Sequence, residues 1–293
     1  MSYGWLDRNM KWIFTLPAAL FVLLVVAFPI AYTVRISFYE WSMSAVAAPK
    51  WVGLENYTVL LADPRFWGSI LRTLYHSVPS IIIETVLGVA IAVLFSRSFI
   101  GSKWVKSFLI LPMVATPVAI GLVWLLIYEP SIGLANQMLR GLGLKTYSWL
   151  GSVDEVIPSL IIIDVWQWTP MIALLVMAGI TTLPTEPYES ADVDGATSFQ
   201  KFFHITLPLL RPTILIAVIL RTVDLLKTFD TIYSTTQGGP NFASETLNIM
   251  VYTQAFQYLK LGSASALLML FFLIIMFFVL ILVMVRKRME AMQ

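Results

Sequence analysis

TLPTEPYESADVDGATSFQKFFHITLPLLRP, residues 182–212, lies between two long apolar runs and is too rich in helix punctuation to be a plain connector. Thr185 can cap a helix opening with Glu186-Pro187, which places an acid and a proline where a first turn favours them. Asp192-Val193-Asp194 then run into Gly195, a residue suited to the left-handed position that ends a helix. Ser198 can cap a second helix, on which Phe199, Phe202 and Phe203 recur at i, i+3 and i+4 and so share a face. Leu207-Pro208 is expected to stop that helix and to begin the next apolar run. The segment therefore predicts two short helices joined by a tight turn. Two uses fit such an element: an elbow packed on the chain's own helices or on lipid, and a docking platform for a cytosolic partner.

Outward from this segment the chain is mostly apolar. Of its 293 residues 58% are hydrophobic and 12% charged, with a mean hydropathy of +0.81. A soluble domain carries about 25% charged residues, so the composition points to a bilayer. Apolar runs at about 12–34, 73–96, 107–128, 156–182, 208–236 and 261–285 are each long enough for a hydrocarbon core of about 30 Å, which takes about 20 helical residues. They do not alternate as barrel strands do, and in lipid only helices or closed barrels satisfy the backbone. The fold class read from these features is all-α: six transmembrane helices and a cytoplasmic two-helix loop, residues 183–207, in one domain. The first span is too long for a cleaved leader, so it is expected to stay. Prolines inside the runs predict kinked helices. With the N-terminus inside, Arg8, Lys11, Arg97, Lys103, Lys106, Lys201, Arg211, Arg286, Lys287 and Arg288 fall on the cytoplasmic side. Lys50, Arg65, Arg72, Arg140, Lys145 and Lys260 fall outside, and this bias predicts both termini in the cytoplasm.

Several function classes are excluded. A net charge of +2 is too small for a nucleic-acid binder, and zero cysteines remove disulfides, thiolate nucleophiles and thiolate metal sites. His76 and His204 are the only histidines, too few and too far apart for a metal-binding motif. GLGLKT at 141–146 fails as a phosphate loop because Leu144 stands before Lys145 where glycine is needed.

Glu189-Ser190-Ala191 followed by Asp194-Gly195-Ala196, then Phe202, Ile205 and Leu207-Pro208, resembles the "EAA" loop of the membrane subunits of ABC importers. Ser190 replaces the first alanine of that pattern, and Phe199 stands where tryptophan is frequent. PVAIGLVWLLIYEPSIGLAN (117–136), TQGGP (236–240) and ETLNIMVYTQAF with LGSASA (245–266) resemble the carbohydrate subgroup in the same order. The chain is thus similar to a permease subunit of the maltose or glycerol-phosphate transporter type. The resemblance implies a place in a bacterial or archaeal cytoplasmic membrane. It also implies coupling to the ATPase through Glu189, Ala191, Asp194 and Gly195, with the aromatic face of Phe199, Phe202 and Phe203 beside them. The partners implied are a second, distinct permease, two ATPase subunits and an external solute-binding protein. ATP and Mg belong to the ATPase; no cofactor is expected in this chain, and no enzymatic activity of its own.

Charges inside the runs are expensive, about 2.5–3.5 kcal/mol each at the centre of a span by insertion scales. Arg221 with Asp224, and Lys227 with Asp230, stand at i, i+3 and can neutralise each other. They read either as ion pairs within the bundle or, for Lys227, Asp230 and Tyr233, as lining of a translocation path; Glu84 and Asp164 carry the same two readings. Sugars stack on aromatic faces, and Trp124, Tyr128, Trp166, Trp168, Phe229 and Tyr233 are available, with Asn248 and Tyr252 before the last span. Interface anchoring and packing are the competing uses of these side chains. Gly238-Gly239-Pro240 reads as a tight turn, either ordinary or touching a docked binding protein. A stand-alone secondary transporter or channel is the rival class, but it calls for an inverted repeat that the chain does not show.

Overall fold

The structure is a computed structural model describing residues 4–44, 48–96 and 101–290, with the backbone alone for residues 4–8, 103, 289 and 290. Arg97, counted above among the inner charges, lies outside the described residues, as do the side chains of Arg8 and Lys103. In chain order the elements are α1 (Gly4–Ile36), a hairpin of β1 (Tyr39–Glu40) and β2 (Lys50–Trp51), α2 (Glu55–Ala62), α3 (Pro64–Phe95), α4 (Ser102–Val114) and α5 (Pro117–Ile127). There follow α6 (Leu134–Gly141), α7 (Val156–Ile180), α8 (Glu186–Val193), α9 (Ser198–Lys201), a π turn (Phe202–Thr206) and α10 (Leu207–Leu226). α11 (Asp230–Thr235), α12 (Leu247–Tyr252), a second π turn (Thr253–Gln257) and α13 (Leu261–Glu290) complete the chain. Among the described residues five helices are long and apolar enough to cross a membrane, and six if the bent α4–α5 pair is one span.

Two of the expected spans are broken. The run at 107–128 is not one helix: α4 and α5 meet at 95°. Pro117 has no N–H to donate, and its ring forces the preceding Thr116 into extended backbone, ψ 140°. The carbonyl of Ala115 freed there accepts the Nε2 amide of Gln167 on α7, at 3.3 Å. The run at 208–236 ends as a helix at Leu226 and resumes only in α11. Here the freed Lys227 carbonyl accepts Nδ2 of Asn248 at 2.6 Å. In both cases a side-chain amide from another element supplies the hydrogen bond that lipid cannot.

The chain comprises two compact units, residues 1–64 with 251–273 and residues 65–250 with 274–293. In the first, the hairpin is held by cross-strand packing of Trp51 on Phe38 and Tyr39. The Asn56 amide donates to the carbonyls of Ser37 and Tyr39 at 2.9 and 3.0 Å. Gly262 admits the Tyr39 carbonyl against its backbone, where any Cβ would overlap it.

In the second unit α7 is the central helix, and its buried residues run from Val156 to Gly179. One apolar cluster joins Ile120, Tyr128, Ile161, Ile232 and Ile249; another joins Val89, Ala92, Ile172, Val176, Leu210 and Ala217. Close approaches occur where side chains are small. A Cβ on Gly88 of α3 would lie 2.8 Å from Ile172 Cγ2 and 3.1 Å from the Ala173 amide nitrogen. Gly179 likewise faces Thr213 of α10, and Gly121 of α5 faces Ser234 of α11.

Candidate functional site

The segment at 183–207 forms the two short helices its punctuation predicts, with three differences in detail. Thr185 occupies the N-cap of α8 but makes no side-chain capping bond. The second helix is capped by Thr197 rather than Ser198: Thr197 Oγ1 accepts the Gln200 N–H at 3.3 Å, and Gln200 Oε1 accepts the Thr197 N–H at 2.8 Å. Leu207-Pro208 does not stop the chain. The π turn widens the helix ahead of the proline, the Leu207 N–H reaching back to the Phe202 carbonyl, and the axis continues into α10.

Between the helices the turn is tightly specified. Gly195 has φ +73°, its N–H donates to the Asp192 carbonyl at 3.2 Å, and the Ala196 N–H donates to the Ala191 carbonyl at 2.9 Å. These are the two bonds of a Schellman motif, with glycine at its left-handed position. Lys201 Nζ pairs with Asp192 Oδ1 at 2.5 Å, and the Tyr188 hydroxyl bonds Thr206 Oγ1 at 2.9 Å. The angle between α8 and α9 is therefore set by backbone and side chains together.

The three phenylalanines do not share one environment. Phe202 turns inward and packs against the Val89–Ala217 cluster, whereas Phe199 is 73% and Phe203 46% exposed, their rings 4.7 Å apart. Val193, 89% exposed at the end of α8, adds to the apolar surface. The reason is geometric: at 3.6 residues per turn Phe199 and Phe203 lie about 40° apart around the axis, whereas Phe202 lies about 100° from Phe203. Glu189 and Asp194 are exposed, Ala191 half-buried, and among the described residues neither carboxylate is in an ion pair. Thr185, Tyr188, Lys201 and Phe202 with Val93 and Ile180 enclose a cavity of about 340 Å³ behind the loop.

The intramembrane charges are paired differently from the i, i+3 scheme. Arg221 is buried and donates Nε to Glu84 Oε2 at 2.8 Å and Nη2 to Glu84 Oε1 at 3.1 Å, with a further bond from Nη2 to Asp164 Oδ2. Its guanidinium also stands 5.0 Å from the Trp168 ring centroid. Asp224 instead takes Lys227, at 3.6 Å on an exposed surface. A local pair three residues apart would leave Arg221 at the helix surface, while the bidentate arrangement with Glu84 satisfies the planar guanidinium where no water competes.

The aromatic candidates converge only in part. Trp124 lies 4.9 Å from Tyr128 and 5.7 Å, edge-on, from Trp166, and Phe229 stacks on Tyr233 at 5.1 Å. Trp124, Phe229 and Tyr233 all pack on the cluster of Ile120 and Ile232, where α5 meets α11. Tyr128 is a core residue, stacked at 4.6 Å on Trp149, with its hydroxyl donating to the Ser159 carbonyl. Trp166 keeps a free face, at 46% exposure, on the rim of an apolar groove of about 940 Å³ between α3, α4, α5 and α7. Lys227 and Asp230 are exposed, and Asn248 spends its amide on the Lys227 carbonyl. Tyr252 packs on Phe256 at 5.1 Å.

Three hubs went unread in the sequence. Gln167 closes the α4–α5 break. Asn136 receives the Trp149 indole N–H and the Tyr147 N–H and donates to the carbonyls of Pro130 and Tyr147. Glu245 is buried in the loop after TQGGP, held by Arg65 through two bonds of 2.6 and 2.5 Å, while Arg72 Nε takes its carbonyl at 2.9 Å. A lone amide or acid in an apolar stretch was the available signal; its partner, far away in sequence, was not visible.

The family model described as "Binding-protein-dependent transport system inner membrane component" matches residues 84–291. A probable ABC transporter permease protein, y4oQ, of Sinorhizobium fredii is 36% identical over 87% of this chain and 82% of its own length. The trehalose/maltose transport system permease protein MalF of Thermococcus litoralis is 34% identical over 87% of this chain and 85% of its own. Among solved structures, a bacterial ABC transporter involved in the import of the acidic polysaccharide alginate superposes with a TM-score of 0.84, covering 97% of both chains at 22% identity.

Proposed function

Because the chain belongs to the family of binding-protein-dependent transport system inner membrane components, we propose that it forms one half of the translocation path of an ATP-driven carbohydrate importer and receives the ATPase stroke through residues 183–207. The rigid two-helix loop carries this reading. A Schellman turn, a capping box and the Lys201–Asp192 pair hold it at a fixed angle, and Val193, Phe199 and Phe203 are turned outward with Glu189 and Asp194 beside them. Apolar side chains ringed by unpaired carboxylates suit a protein groove with basic edges better than solvent. The remaining partners are a second, non-identical permease, two ATPase subunits that bind ATP and Mg, and an external solute-binding protein that meets the Gly238-Gly239-Pro240 loop. The bias of Lys and Arg supports a cytoplasmic position for both termini.

The solute we infer is a neutral sugar, as the name of the Thermococcus litoralis relative suggests for that protein. The charge map supports this. The one cation fully buried among the described spans, Arg221, is paired with two carboxylates, which leaves no net positive charge there for an anionic sugar, while Trp124, Trp166, Phe229 and Tyr233 offer rings near α5 and α11. The test is purification of the tagged chain in mild detergent. An ATPase and a second permease should be recovered with the native chain, and the ATPase lost with V193D/F199D. Recovery of the native chain alone would refute the reading.

A further inference from the structure

We propose that Arg221, Glu84 and Asp164 form a transmission pin that fixes the far end of α10 to α3 and α7, so that movement of the 183–207 loop is delivered to the broken α5/α11 pair instead of being lost in rocking of α10. The inference rests on the reading of that loop as the ATPase contact. Its basis is where the attachments fall along one axis. The chain runs from Ser198 through the π turn to Leu226 as a single lever. Between the loop and Arg221 the described contacts of the lever with α3 and α7 are packing contacts: Leu210 and Ala217 in the cluster with Val89, Ala92, Ile172 and Val176, and Thr213 against Gly179. Contact of this kind resists separation but has no directional preference, so the helix can twist and slide against it. The second attachment comes at Arg221, roughly 16 Å further along at 1.5 Å per residue from Leu210. It is directional: two bonds to Glu84 on α3, one to Asp164 on α7, and the Trp168 ring beside the guanidinium. Beyond Arg221 the lever buries Leu225 and Leu226 before the break at Lys227, after which α11 lies against α5 through Ser234 and Gly121. Among the described residues of α10, Arg221 makes the directional attachment to α3 and α7, and the packing on either side of it is not directional.

The chain has no cysteine, so spin labels can be placed on introduced ones without interference. One pair, Ile82→Cys on α3 with Leu220→Cys on α10, reports the pin end; another, Leu94→Cys with Leu209→Cys, reports the loop end. All four positions are exposed on their helices. Distances are measured in the purified transporter, nucleotide-free and trapped with ATP and vanadate. The native chain should give one narrow distance per pair, equally narrow in both states. In R221M/E84Q/D164N, which removes the three charges together so that none is left buried alone, the pin-end distribution should at least double in width or split while the loop-end pair is unchanged. Arg221→Lys keeps the charge but gives up the two-nitrogen grip on Glu84, and should broaden the pin-end pair by a smaller amount. A pin-end distribution as narrow in the triple variant as in the native chain overturns the proposal, and so does equal broadening of both pairs, which would mark general loosening. Failure to recover an ATPase with the native chain would overturn the coupling reading instead, and the nucleotide-free distances would still decide whether the pin exists.

Discussion

Replacement of Gly195 separates two ways in which the 183–207 loop could fail. The residue sits at φ +73°, and no atom lies within 4 Å of where its Cβ would be. Space is therefore free and the penalty is conformational. A residue with a Cβ pays about 1–2 kcal/mol to hold the left-handed region, asparagine least and a β-branched residue most. At 1.4 kcal/mol per factor of ten, alanine should lower the population of the correctly turned loop roughly 5- to 30-fold relative to glycine. The Schellman bonds from Gly195 and Ala196 and the Lys201–Asp192 pair oppose that loss, so the lower end of the range is expected. The assay is uptake of a labelled sugar that the native transporter carries into proteoliposomes, measured beside ATP hydrolysis. Transport per ATP should fall in the order Gly, Asn, Ala, Val while hydrolysis continues. Equal damage from Gly195→Asn and Gly195→Val would refute the reasoning, because steric conflict with a partner surface, not φ, would then set the cost. Unchanged transport by Gly195→Val would remove the lever argument altogether.

Gly88→Ala should lower resistance to thermal unfolding in detergent by about 0–2 kcal/mol, overpacking of about 1–3 against Ile172 and the Ala173 backbone being offset by about 1 of helix propensity. Gly141→Ala, at the end of α6, meets nothing within 4 Å and should be neutral or stabilising; equal melting of the two variants would contradict the packing described. Arg65→Met leaves Glu245 buried without its main partner. Because Arg65 is itself partly exposed, a loss near 2–3 kcal/mol is expected, below the 3–5 typical of a fully buried pair, readable as a shift in melting temperature. Glu129 accepts the Ile132 N–H and the Ser131 hydroxyl and N–H, which holds its carboxyl below the usual carboxylate range. A depressed value means that the carboxylate's contribution to the 129–133 turn is fully present above the ordinary range near pH 4.3 and is lost as pH falls through the lowered value. Hydrogen exchange at the Ile132 amide should be protected at neutral pH and released in acid, and Glu129→Gln should abolish that pH dependence.

What could be read along the chain and what could not divide by the range of the forces involved. The spans and the 183–207 segment rest on local rules. Apolar length locates α1, α3, α7 and α13, and the Asp192–Gly195 sequence predicts a helix end because a left-handed turn is a property of adjacent residues. The breaks at Ala115 and Lys227 were half legible. Pro117 announces the first, but the second depends on Asn248 arriving from another element to accept responsibility for a bare carbonyl. Likewise the shared face of Phe199, Phe202 and Phe203 follows from a regular period, but which of the rings turns inward is decided by the helices it meets, here the cluster of Val89 and Ala217.

The charges of α10 carry the point furthest. Counted on a helical wheel, Arg221 finds its nearest acid at Asp224, and an isolated helix would make that pair, worth about 0.2–0.5 kcal/mol. Inside a bundle the comparison changes. A guanidinium that cannot reach water needs its donors filled, and one carboxylate at i+3 cannot fill them. Glu84 and Asp164, each costly on its own span, become cheap only when all three meet, so their burial is intelligible as a set and not one residue at a time. Asp224, released from Arg221, stays at the surface with Lys227. A mid-span acid is therefore better read as a demand for a cation somewhere in the fold than as half of a local pair. For this chain that demand is met by Arg221, whose charge is matched by two carboxylates drawn from α3 and α7.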